Sequence, residues 1–121
     1  MHEAGIALHL IKCVIDRLET VPHGPVRQIH VRIGAMSGVC ADALDFAFGC
    51  LARGTGLEDA RLVFDVVPLT VACAACGATN PVEEYVFRCP ACGSERTEIA
   101  SGRELEIRTL EVEDVEVPCH A

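Results

Sequence analysis

Four of the chain's eight cysteines fall in two matched pairs, and this pattern constrains the fold more than any other feature of the sequence. Cys73 and Cys76 stand in CAAC, Cys89 and Cys92 in CPAC, and twelve residues separate the pairs. A Cys-x2-Cys knuckle turns two thiolates toward one point, and a second knuckle after a short hairpin completes a tetrahedron of the kind Zn²⁺ prefers. Gly77 and Gly93 follow the knuckles directly, where a positive φ lets the backbone turn and aim its N–H groups at sulfur. The spacing predicts a bound tetrathiolate ion held by Cys73, Cys76, Cys89 and Cys92. Zinc is the expected ion, although iron accepts the same four ligands, as in rubredoxin-like electron carriers. A closed site of four protein ligands leaves no position for substrate or water, so its expected role is structural.

The length of 121 residues suits one core, or one core with a small metal-stapled module. Apolar positions at spacings of three and four, from Ala7 through Leu10, Ile11, Val14 and Leu18 to Val21, predict an amphipathic helix that ends before Pro22. Ile29, Val31 and Ile33 alternate with Gln28, His30 and Arg32, which predicts a half-buried strand closed by Gly34 and the Ser37–Gly38 pair. Ala43, Leu44, Ala47, Phe48 and Leu51 predict a second helix closed by Gly54 and Gly56. Leu62, Phe64 and Val66 predict a second strand stopped by Pro68, and Leu105 with Ile107 a third. The expected fold class is α+β, a small three-stranded sheet with two helices and an inserted zinc-ribbon module. The ribbon is assigned residues 71–100, and the α/β domain residues 1–70 plus 101–121. Cys13 and Cys50 are expected to fill apolar helix faces as small hydrophobes. His9, His23 and His30 are expected at surfaces or turns.

A formal net charge of −8 disfavours nucleic acid and anionic membranes as partners. The ribbon itself sets Glu83, Glu84, Glu95 and Glu98 against only Arg88 and Arg96, so it lacks a basic footprint. No basic leader and no long apolar run is found, so neither secretion nor membrane insertion is expected, and the cytoplasm is the expected location. The tail that carries Glu111, Glu113, Asp114 and Glu116 reads as a frayed acidic end, and metal scavenging by its Cys119 and His120 is not expected.

The opening Met-His-Glu has a chemistry of its own. His2 is bulky, so Met1 is expected to be retained and to offer its α-amine. That amine, the backbone nitrogen of His2 and the His2 imidazole form fused chelate rings close to one plane. Square-planar nitrogen sets suit Ni²⁺ or Cu²⁺. A fourth ligand is available from Glu3 or water. The plain alternative is that His2 is a polar residue on a loose end.

Together, an initial Met-His-Glu leading into a helix, a strand that ends in IGAMSGV, the CxxC-x12-CxxC ribbon and the strand GRELEIRTLEVE resemble the HypA/HybF family of hydrogenase nickel-incorporation proteins. The resemblance covers essentially the whole chain. It implies a nickel metallochaperone and not an enzyme, with Ni²⁺ as cargo, bound at Met1, His2 and Glu3, and structural zinc at Cys73, Cys76, Cys89 and Cys92. The partners it implies are a HypB-type nickel GTPase and the large subunit of [NiFe]-hydrogenase, with urease maturation served by some members. The chain departs from the family at Cys40, where many members carry an acidic residue; Asp42 and Asp45 lie close enough to substitute. A rubredoxin-like electron carrier and a zinc-ribbon interaction scaffold are the rival readings.

Overall fold

A computed structural model describes residues 2–113. The element order is α1 (Glu3–Leu18), β1 (Val26–Gly34), α2 (Ala41–Leu51), β2 (Arg61–Val67), β3 (Thr70–Cys73), β4 (Thr79–Pro81), β5 (Thr97–Ser101) and β6 (Leu105–Val112). One three-stranded sheet has the order β2-β1-β6 and the other β4-β3-β5. The expected α+β class, with two helices, a small sheet and a knuckled insertion, is the architecture observed. Among the described residues no helix is long and apolar enough to cross a membrane.

The described chain divides into two compact units. The first comprises residues 2–31, 39–64 and 107–113. Its core forms where α1 turns Ile6, Ala7, Leu10, Ile11 and Val14 inward and packs against Leu44 and Phe48 of α2. Val26, Ile29 and Val31 of β1, with Ala52, Leu57 and Leu62, complete it. Glu3 in the first turn of α1 and Arg17 in the last complement the helix dipole. At the edge of this unit the Gly24 N–H donates to the Glu113 carbonyl at 2.9 Å, and the Glu113 carboxylate accepts from Arg27 Nε at 2.7 Å.

Four expected core positions lie outside it. Val21 is exposed because α1 ends at Leu18, and Leu51 is exposed at the last residue of α2. Val66, at 67% exposure, belongs to an edge strand, where alternation does not guarantee a cover. Leu105 is exposed as well. Cys50 is also exposed and Cys13 half-buried, which corrects their assignment as core fillers: α2 buries only Leu44 and Phe48, and Cys13 lies at the margin of the α1 stripe.

The second unit comprises residues 32–38 and 65–106. In it β3 is the central strand, antiparallel to both neighbours, with Val71 opposite Asn80 on β4 and Ile99 on β5. Thr70 and Ser101 join their hydroxyls at 2.6 Å, and the Ser101 hydroxyl donates to the Pro68 carbonyl at 2.7 Å. In the connection between the two knuckles, Glu84 and Tyr85 both adopt positive φ in a two-residue turn closed by the Val86 N–H on the Glu83 carbonyl. Two glycines allow a close backbone crossing. A Cβ on Gly34 would lie 2.1 Å from the Gly102 carbonyl, while the Gly34 N–H donates to Glu104 O at 2.7 Å and the Met36 N–H to Gly102 O at 2.6 Å.

This crossing yields a paired prediction. Gly34→Ala forces its methyl into backbone and should lower stability by about 1–3 kcal/mol, the usual range for overpacking. Gly49→Ala, inside α2 with nothing within 4 Å of the added methyl, should instead raise it by about 0.5–1 kcal/mol through helix propensity. Urea unfolding followed by circular dichroism measures both; a neutral Gly34→Ala contradicts the crossing.

Candidate metal centre

Each knuckle is built by the same local hydrogen bonds. The Gly77 N–H donates to Cys73 O at 2.9 Å and the Cys73 N–H to Ala78 O at 2.8 Å; in the second, Gly93 donates to Cys89 O at 2.8 Å and Cys89 to Ser94 O at 2.9 Å. The turns require φ of 77° at Gly77 and 78° at Gly93, the left-handed region that glycine enters without steric cost. The first knuckle lies between β3 and β4 and is tied to the residue just before β5 by the Ala74 N–H on Arg96 O, at 2.8 Å. The second is carried by the loop before β5, which the Thr97 hydroxyl anchors to Phe87 O at 2.6 Å.

These supports bring the four sulfur atoms within 4.8 Å of one another. Cys73 Sγ lies 3.6 Å from Cys92 Sγ, and Cys76 Sγ 3.6 Å from Cys89 Sγ. A tetrahedron with metal–sulfur bonds of about 2.3 Å has edges of about 3.8 Å, so the cluster is sized for a tetrathiolate ion. Cys73 and Cys89 are buried, Cys76 and Cys92 exposed.

The backbone prepares the inner sulfurs for negative charge. N–H groups of Cys76 and Ala75 aimed at Cys73 bring its thiol down to about 6, despite desolvation. Those of Cys92 and Ala91 lower Cys89 in the same way. For the outer pair one N–H is not enough. The Ala78 N–H lowers Cys76, but the neighbouring sulfur of Cys89, desolvation and Cys73 outweigh it and raise the thiol. The Ser94 N–H likewise lowers Cys92, yet Cys73, desolvation and the other two sulfurs push it up to about 12. Four thiolates crowded at this distance repel one another, and a dication relieves that repulsion.

The other expected ligands are placed differently. His2 is exposed and caps α1 through its backbone: its carbonyl accepts the Ile6 N–H at 3.2 Å, with no side-chain capping bond. Glu3 is half-buried in the first turn, and Met1 lies outside the described residues. Cys40 is the exposed N-cap of α2, with Asp42 in that helix's first turn and Asp45 one turn further on. Cys119 and His120 lie outside the described residues. His30 is half-buried 3.3 Å from Glu111, and His23 is exposed with Nδ1 2.6 Å from Gly24 O. His9 is exposed as expected, but it touches Cys13, a contact foretold only by their spacing of four on one helix.

Residues 1–112 match the family model described as "Hydrogenase/urease nickel incorporation, metallochaperone, hypA". The chain is 39% identical over 113 residues to a "Hydrogenase maturation factor HypA" of Chlorobaculum tepidum, an alignment that covers 93% of this chain and 100% of the relative. It is 41% identical over 115 residues to the factor of that name from Chloroflexus aurantiacus, covering 92% and 98%. Among solved structures, the Ni metallochaperone HypA from Helicobacter pylori has the same fold, with a TM-score of 0.68 at 20% identity over 95% of this chain and 100% of that one. A second HypA solution structure superposes with a TM-score of 0.72 at 22% identity, covering 93% and 96%. With two helices, a small sheet and a four-cysteine cluster matching the pattern in its sequence, the chain belongs to the HypA family of hydrogenase and urease nickel-incorporation metallochaperones.

Proposed function

We propose that this protein is a carrier and not a catalyst: it binds Ni²⁺ at Met1, His2 and Glu3 and delivers it for maturation of [NiFe]-hydrogenase, with urease as a second destination. The observation that carries this reading is the match of residues 1–112 to a nickel-incorporation family. The position of His2 supports it. Its imidazole is exposed and takes no part in capping α1, so it is free to act as a ligand. An open, nitrogen-rich site at the start of a helix lets a partner approach with better ligands and remove the ion. The partners in this reading are a HypB-type nickel GTPase and the hydrogenase large subunit, and the location is the cytoplasm.

The ion of the four-cysteine cluster is zinc in this reading, and its role is to fold the ribbon of residues 71–100 as a domain distinct from residues 1–70 plus 101–121. The sulfur spacings suit it. Iron at the same ligands is the basis of the electron-carrier alternative, and elemental analysis separates the two: one zinc and no iron is expected. The scaffold alternative predicts no nickel uptake.

Nickel titration of tag-free protein should show one equivalent bound, and His2→Ala should abolish it while zinc stays in place. An N-terminal extension should do the same. Stability should change by no more than about 0.5 kcal/mol, because His2 is exposed. Unchanged nickel affinity in folded, zinc-loaded His2→Ala protein overturns the assignment.

Cys73→Ala should lose zinc and unfold the ribbon while the helical signal of α1 and α2 largely survives. Loss of the whole circular dichroism spectrum contradicts separate domains.

Zinc binding should also be linked to protons. Near neutral pH the inner Cys73, at about 6, has already lost its proton, whereas Cys92, at about 12, holds one that the metal must displace. Calorimetry in buffers of different ionisation enthalpy should therefore count fewer than four protons released, and zinc affinity should rise with pH.

A further inference from the structure

We propose that His9 and Cys13 form a second, open metal site on α1 that takes one divalent cation of borderline softness. Cys13 Sγ lies 3.5 Å from His9 Nε2, one helical turn away on the same face. Bonds of about 2.0 Å to imidazole nitrogen and about 2.3 Å to thiolate sulfur, at a tetrahedral angle, place the two donors about 3.5 Å apart. The pair thus already spans one edge of a tetrahedral coordination shell.

The backbone holding it is braced. The adjoining stripe of α1, through Ile6, Ala7, Leu10, Ile11 and Val14, is buried against the core of its unit, with Cys13 at its margin. His9 is exposed and Cys13 half-buried, so the donors face solvent and the remaining coordination positions stay open to water or to a partner's ligand. The chemistry is an exchange of a proton for a metal: the S–H bond breaks, metal–sulfur and metal–nitrogen bonds form, the proton passes to solvent, and no electrons change hands. A thiolate with an imidazole selects Zn²⁺, Co²⁺ or Ni²⁺ over Mg²⁺ or Ca²⁺. His2 precedes His9 by seven residues, about 10 Å along the axis and close to the same face. The pair is nevertheless separate from Met1, His2 and Glu3 and from the four-cysteine cluster, and binding to it does not depend on the nickel assignment.

The test uses zinc-loaded full-length protein carrying Cys40→Ser, Cys50→Ser and Cys119→Ser, which leaves Cys13 as the one thiol outside the cluster. Titration with Co²⁺, with zinc content checked throughout, should produce one equivalent of a near-ultraviolet thiolate-to-cobalt charge-transfer band and intense visible bands of tetrahedral symmetry. Cys13→Ser should remove the charge-transfer band, His9→Ala should abolish stoichiometric binding at Cys13, and His2→Ala should leave both signals unchanged. Absence of the band in the parent, or its persistence with unaltered affinity in His9→Ala, overturns the proposal and leaves the contact a simple hydrogen bond. Loss of nickel uptake in His2→Ala with the cobalt band retained keeps the two assignments distinguishable.

Discussion

The convergence of four thiols is the constraint on which the second unit depends. The described residues of that unit bury few apolar side chains: Ile33, Leu69 and Val71 are joined inside by Cys73 and Cys89 themselves. Sulfur atoms 3.6 Å apart repel one another once ionised, which is why the outer thiols are pushed up, unless a cation lies among them. The fold accepts that repulsion because the knuckles supply N–H groups to the inner sulfurs. A small module that lacks an adequate core is held instead by a metal, which couples its folding to ion binding.

The first unit is organised in the opposite manner. There, burial of aliphatic side chains between α1, α2 and β1 supplies the stabilising free energy, and each fully buried Leu, Ile or Val is worth roughly 1.5–3 kcal/mol. No charged or polar residue is buried among the described residues, so this core owes nothing to internal ion pairs. Its surface carries charge pairs such as Arg27 with Glu113, which are exposed and contribute little. A rigid helix of this kind is a suitable carrier for ligands on its exposed side, because packing on one face fixes the side chains that project from the other.

The four-cysteine cluster and the open sites proposed on and beside α1 differ in access. Four protein sulfurs close a coordination shell and favour permanent occupancy, whereas donors on an exposed helix leave positions open and favour exchange. The proposed function draws on both properties, and separating them into different ligand types would keep a thiophilic ion from competing for the nitrogen donors proposed for nickel.

Much of this was legible in the sequence because the interactions that decide it are local. A Cys-x2-Cys-Gly segment specifies its own turn through bonds between residues four and five apart, so the knuckles follow from spacing alone. Alternation in Ile29, Val31 and Ile33 identified β1 and its buried face, since side chains of a strand point to opposite sides by geometry. Periodicity likewise identified both helices, although α1 begins at Glu3, earlier than the apolar stripe itself marks. Tertiary structure decided how far each apolar face is covered. Leu51, Val66, Leu105 and Cys50 have the chemistry of core residues and are exposed, because burial depends on what packs against an element and not on its own pattern. It also decided that Gly34 must lack a side chain, because the backbone of Gly102, nearly seventy residues away, lies against it, an approach that no local rule anticipates. The meeting of His9 with Cys13 lies between these cases: helical spacing permits it, but only the rotamers and the packing that leaves that face open bring nitrogen and sulfur to 3.5 Å.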